Sequence, residues 1–235
     1  MEVDIQLRSG LLLKNAAGML IKKFEQWPWK NYDGDRPRDP NVIDSQDIKR
    51  VYQLGSRTRG SAYVELLQTH GETLSLCLKA IPTKVALENE EFSSVKEPLV
   101  ELFDVVLSAK YVKMAGATKL LYPFRPLLIP VIDSVVESYY WYATSIHEMK
   151  TFRKLEKAYR QRDRGYGEYV FEILCLMKND LEGAREAIDK VLGACEDQDF
   201  ARASRVRVLE SLIWYYYARA GAAGSDSDEG HLPGE

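Results

Sequence analysis

Apolar residues recur along this chain at helical spacing, with almost no sustained two-residue alternation. Leu13, Ala16, Ala17, Leu20, Phe24 and Trp27 fall three and four apart, so Ser9 is read as the cap of a helix running to about Gln26, with Pro28 ending it. Residues 31–40 hold Gly34, Pro37 and Pro40 and form a loop. Asp44 then caps a short helix carrying Ile48, Val51, Tyr52 and Leu54, closed by Gly55. Residues 61–69 and 72–80 read as two short buried helices, although the alternation from Thr73 to Leu78 also suits a strand. Ser94 and Glu97 have capping-box spacing and Pro98 lies in the first turn, which predicts a helix through Leu107.

Residues 114–122 form another short helix, and the prolines at 126 and 130 make 125–130 extended. Asp133 opens a helix through about Ile146, followed by helices over about 147–162, 168–177, 181–195 and 204–220. No repeat recurs at 30–45 residues, which argues against a solenoid. The fold class is therefore all-α: a single multi-helix globular domain over residues 1–222, with 223–235 a disordered acidic tail.

Composition agrees with this pattern. At 235 residues and 46% hydrophobic content the chain can bury a core without disulfides or metal. Cys77, Cys175 and Cys195 are odd in number and far apart, which suggests neither a disulfide framework nor a zinc site. The N-terminus shows no secretory pattern and no apolar stretch is long enough to span a bilayer, so the expectation is a cytoplasmic or nuclear protein with no membrane partner. The net charge of −3 hides local asymmetry: Asp226, Asp228, Glu229 and Glu235 stand in the tail without a Lys or Arg. Residues 88–104 hold six acids and one lysine, and residues 149–165 hold seven basic residues and two acids.

Several enzyme classes fall away. There is no G-x-S-x-G, no Gly-rich phosphate loop and no H-E-x-x-H, and His70, His147 and His231 have no ligand partner at helical spacing. An Arg followed four to six residues later by His, the core of some helical ribonuclease toxins, is also absent. No metal and no cofactor are implied. A basic stripe is present: Lys150, Arg153, Lys154, Lys157, Arg160 and Arg164 lie three and four apart on one helix side, opposite Phe152, Leu155 and Tyr159. Such a stripe can track a phosphate backbone, and it equally suits a solvated face or a partner for the 88–104 acids. The aromatic runs 139–142 and 214–217 could stack bases, but on a helix they point in several directions, so most of their rings are expected in the core.

The segment from Met114 to Val136 carries the remaining candidates. Lys119-Leu-Leu, Arg125-Pro-x-Leu-x-Pro-Val-x-Asp133, the early Tyr32-Asp33 loop and the closing Ser204-x-x-Arg-Val-Leu209 with Ile213-Trp214 together resemble a family of mainly bacterial helical proteins of unknown function. That likeness runs from about residue 31 to 217 and implies a helical fold but no activity. The same segment also resembles, more remotely, the helix-hairpin-helix DNA glycosylases. There a Gly-rich hairpin grips a DNA phosphate, a lysine attacks the sugar and an aspartate capping a later helix assists. The resemblance implies a hairpin role for Gly116, with Thr118 beside it, and catalytic roles for Lys119 and Asp133. Ala115 and Ala117 flank Gly116 where the family has a second glycine. Asp133 is also a suitable helix cap in its own right, and Arg125 is suited either to a phosphate or to an acid on a neighbouring helix. The leading expectation is a nucleic-acid-binding domain without catalysis. A protein-interaction or structural module and a base-excision enzyme are the alternatives.

Overall fold

The structure, a computed structural model, describes residues 2–25, 37–53, 55–144, 157, 165–196 and 198–223. The helix expected from Ser9 starts later, because the residues before it form a hairpin. Val3, Ile5 and Leu7 alternate with Asp4 and Gln6, and this short period-two run is what pairs: β1 (Ile5–Gln6) lies antiparallel to β2 (Leu12–Leu13), with Ile5 opposite Leu13. Ser9 sits at the hairpin tip, where its hydroxyl lies 2.6 Å from that of Tyr139. Helix α1 (Ala16–Glu25) begins after Asn15, whose side-chain oxygen accepts from the Gly18 amide at 3.2 Å.

Asp44 caps α2 (Ser45–Gln53) as expected: its Oδ1 accepts from the amides of Gln46 (2.6 Å) and Asp47 (3.2 Å), and the Asp47 carboxylate returns a contact to the Asp44 amide. Gly55 closes the helix at φ 65, with its own amide bonded to Tyr52 and the Ser56 amide to Val51, the paired contacts of a Schellman end. The two short helices expected over 61–80 are one, α3 (Gly60–Ala80), and no strand forms there. Gly71 sits in open space within it, so it costs only its weak helix propensity, about 1 kcal/mol, and does not break the helix.

Residues Glu90–Val95 form a 3-10 turn leading into α4 (Lys96–Ser108). The Ser94 hydroxyl donates to the Glu91 carbonyl (2.7 Å) rather than capping α4, so the capping box is not made although the helix it predicted is. Next come α5 (Met114–Leu121), a 3-10 turn over Tyr122–Phe124, α6 (Ser134–Thr144), α7 (Tyr166–Ala194) and α8 (Arg205–Ala223). Residues 125–128 are a turn rather than extended chain, closed by the Leu128 and Ile129 amides on the Arg125 carbonyl. Of the helix expected over 147–162 only Lys157 is described, and it is helical; the tail from 224 on lies outside the described residues.

Helix α7 replaces two predicted helices because the polar junction at Asn179-Asp180 is satisfied in place. Asp180 is buried, yet its carboxylate accepts from the Arg8 amide (2.9 Å) and from the hydroxyls of Tyr139 (3.2 Å) and Tyr140 (3.3 Å). Helix α4 is the centre of the core, its Leu99, Leu102, Phe103 and Val106 sealed between α3 and α7. The α4–α7 contact is backbone-close: a Cβ on Gly167 would stand 2.0 Å from the Val100 carbonyl oxygen, and the Gly167 amide donates to Asp104 at 2.8 Å. Helix α8 packs on α1, α6 and α7, and α2 lies against α5. The result is a single all-α globular domain with one continuous apolar core and a minor two-stranded sheet.

Candidate nucleic-acid interface

Thr118 fixes the geometry around α5. Its buried hydroxyl donates to the Met114 carbonyl (2.9 Å) and accepts from the Ile132 amide (3.0 Å), tying α5 to the residue that precedes Asp133. Asp133 caps α6 through Oδ1, which accepts from the amides of Val135 (3.0 Å) and Val136 (3.1 Å). Lys119, half-buried one residue beyond Thr118, is thereby brought within electrostatic reach of Asp133 and of Arg207 on α8. Burial pushes the Lys119 amine below its ordinary pKa, Asp133 acts to raise it and Arg207 to lower it further. Arg207 is itself buried against Glu210, with Tyr122 and Phe24 rings 5.3 and 5.8 Å from its guanidinium carbon. Sequence reasoning had Arg207 in hand, as the Arg of Ser204-x-x-Arg-Val-Leu209, without seeing that it meets Lys119.

Gly116 occupies a different place from the one the hairpin reading gave it. It lies inside α5, buried beneath the connection between α2 and α3: a Cβ there would meet Thr58 Oγ1 at 2.6 Å and the Tyr63 hydroxyl at 2.8 Å, and that hydroxyl donates to the Gly116 carbonyl (3.2 Å). The glycine makes room for a side chain of the same chain. Arg125 is buried at 1% exposure, and among the described residues its hydrogen bonds go to no acid. Nε donates to Ile81 (2.6 Å), Nη1 to the carbonyls of Pro40 and Phe124 (2.7 Å each), and Nη2 to Asn41 Oδ1 (2.9 Å) and the Leu78 carbonyl. Leu78 and Ile81 stand at the end of α3, where the Leu78 carbonyl also accepts from the Ile81 amide (3.2 Å), so the guanidinium adds to the cap of that helix and fastens residues 40–41 to it. Burial pushes its pKa down to about 10, which leaves it charged at neutral pH.

Of the basic stripe, Lys157 is described and exposed, while Lys150, Arg153, Lys154, Arg160 and Arg164 lie outside the described residues. The aromatic runs are largely core: Tyr139, Tyr140 and Tyr215 are buried and Trp141 and Trp214 half-buried, with the Lys23 amine 3.3 Å above the Trp214 ring. Tyr216 and Tyr217 are the more open members, at 37% and 38%.

A second basic surface escaped the sequence reading. From Ile48 to Val64 the chain holds Lys49, Arg50, Arg57 and Arg59 and no acid, and from Val105 to Ile132 it holds Lys110, Lys113, Lys119 and Arg125 and no acid. The fold lays these two stretches together, since α2 packs on α5 and Thr58 abuts Gly116. Arg57, Arg59, Lys110 and Lys113 are exposed there. Between them stands Tyr111, 51% exposed, with the Arg59 guanidinium carbon 5.7 Å and the Lys110 amine 5.0 Å from its ring centroid. Tyr111 occupies the third position of a turn closed by the Val112 amide on the Ala109 carbonyl, at φ 73. Glycine is the usual residue at such a position, and a bulky side chain there costs about 1–2 kcal/mol. The missed signal was the absence of acids across two long stretches, which a window counting only cations overlooks.

Among the described residues no group of three or more His, Cys, Asp and Glu could hold a metal ion, and no helix is long and apolar enough to cross a membrane. No curated protein and no solved structure matches the chain. Residues 15–217 match a family of unknown function (DUF6308), and that span, most of the chain, shows that this protein belongs to it.

Proposed function

We propose that the domain binds nucleic acid through the face formed by residues 55–59 and the α4–α5 turn, two stretches that themselves contain no acid. The observation that carries this is the placing of Arg59 and Lys110 beside the exposed ring of Tyr111, with exposed Arg57 and Lys113 two and three residues along the chain from them and no acid in either contributing stretch. Cations exposed together release condensed counterions when they meet a phosphate backbone, which makes such binding tight at low salt and steeply salt-dependent. The 150–164 stripe read from the sequence is a second contact set within the same proposal, while Gly116 and Thr118 lie buried in α5, Gly116 beside Thr58, and Arg125 caps the far end of α3, so none of these three is assigned a phosphate contact.

A mobility shift with duplex, single-stranded DNA and RNA probes tests the reading. Wild-type protein should retain a probe at 50 mM salt and release it by about 200 mM. Arg59→Glu with Lys110→Glu and Lys113→Glu should abolish the shift while circular dichroism stays unchanged, and Arg153→Glu with Lys154→Glu and Lys157→Glu should weaken it if the stripe contributes. Retention by the first triple variant equal to wild type would remove this face from the proposal.

The proximity of Lys119 and Asp133 favours a second reading, base excision. A neutral amine can attack C1′ of a deoxynucleotide and displace the base, which leaves with a proton; loss of the amine's remaining proton and cleavage of C1′–O4′, with O4′ taking up a proton, then open the sugar to an imine that borohydride reduces to a stable adduct. Trapping on duplexes containing uracil, oxidised guanine or an abasic site, lost in Lys119→Gln, would establish it.

A further inference from the structure

Tyr111 sits where its backbone would be easier with glycine, and its ring is turned outward rather than into the core. Leu107 before the turn is buried at 6% and Val112 after Tyr111 at 5%, so the turn is anchored on both sides. A strained, outward-facing aromatic flanked by two cations is an arrangement that packing does not require. A flat ring beside positive charge is complementary to an unpaired base and its phosphates: the base stacks, and Arg59 and Lys110 neutralise the backbone on either side. A duplex, whose bases are already stacked on one another, offers the ring no such face. We infer that the preferred partner of this face is single-stranded nucleic acid, with Tyr111 the platform on which one unpaired base stacks. This rests on the proposed phosphate-binding role of the same face and adds to it the class of nucleic acid bound.

Fluorescence anisotropy with three labelled probes at 50 mM salt separates the two ideas: a 20-nucleotide oligothymidylate, a strand of equal length and charge made of abasic units, and a 20-base-pair duplex. Oligothymidylate should bind roughly tenfold tighter than the abasic strand, the worth of a stacked base. Tyr111→Ala should bring oligothymidylate down to the abasic level and leave abasic affinity unchanged, and Tyr111→Phe should bind like wild type. Tyr111→Gly should lose the same preference without a lower melting midpoint, since glycine suits the turn, so lost folding cannot account for lost binding. Equal wild-type affinity for oligothymidylate and the abasic strand, both abolished by the Arg59, Lys110 and Lys113 reversals, overturns the stacking role and leaves phosphate binding intact. No binding of any probe overturns both.

Discussion

Arg125 donates from Nε to the carbonyl of Ile81 across 2.6 Å, and its whole guanidinium is consumed in the same way by neutral acceptors. Among the described residues the buried cation meets no carboxylate, and what complements it is the carbonyl end of a long helix. The negative end of the α3 dipole and the orphan carbonyls of its last turn supply the electrostatic complement an acid would otherwise give.

That arrangement predicts a large and geometry-specific loss. Arg125→Met fills similar space but leaves several buried carbonyls without donors, each worth about 1–3 kcal/mol, so urea unfolding should show a loss of about 3–5 kcal/mol in total. Arg125→Lys keeps the charge and still lacks the planar fork, so it should recover less than half of that. A lysine variant as stable as wild type would show that charge at the helix end, not the set of directed bonds, is what matters.

Both halves of the region around α5 were partly legible in the sequence, for different physical reasons. The Asp133 cap was readable because capping is local: the acceptor and the two amides it meets lie within three residues. The role of Arg125 was not, since its acceptors lie up to 85 residues away and all but Asn41 Oδ1 are backbone atoms that no side-chain pattern encodes. The same holds for Gly116, which reads as a turn residue in isolation and proves to be a clearance for Thr58 and Tyr63. Helix continuity failed at Gly71 and Asp180, where a local breaker was outvoted, in the second case by hydrogen bonds from Arg8, Tyr139 and Tyr140. Ser204 illustrates the reverse. Its hydroxyl donates to the Pro126 carbonyl at 2.6 Å, so two motifs noticed separately in the sequence are two sides of one joint.

Asp180 makes a pH-dependent contribution whose sign is fixed by its surroundings. Burial raises its pKa above the ordinary 3.8, against the lowering effect of the Arg8 amide and the two tyrosine hydroxyls. Because Tyr139 donates to Asp180, the Ser9 hydroxyl must donate to Tyr139, and the chain of donors ends at the carboxylate. The folded state therefore holds the Asp180 proton more tightly than the unfolded state. The associated stability is fully present below pH 3.8 and is lost as pH rises through the raised native value. Urea midpoints of wild type and Asp180→Asn, measured from about pH 3.5 to 7.5, should show the wild type losing ground to the variant as pH rises. A difference that grows in the wild type's favour with pH would mean that the three donors outweigh burial.

The last prediction separates the two tasks of Asp133, capping α6 and facing Lys119. Asp133→Ala removes the acceptor for the Val135 and Val136 amides and should cost roughly 0.5–2 kcal/mol in a thermal or urea melt. Asp133→Asn keeps a capping oxygen, and Asn caps about as well as Asp, so its melting midpoint should stay close to wild type. The two substitutions agree on Lys119, however, because both delete the negative charge that raises its pKa. The lowering effects of burial and Arg207 then lose that counterweight, and the amine becomes less basic still. Its titration, followed by NMR of the reductively 13C-methylated protein, should move to lower pH in Asp133→Asn as in Asp133→Ala. An unmoved Lys119 titration in both variants would leave Asp133 as a helix cap and nothing more, and with it would go the structural motive for base excision.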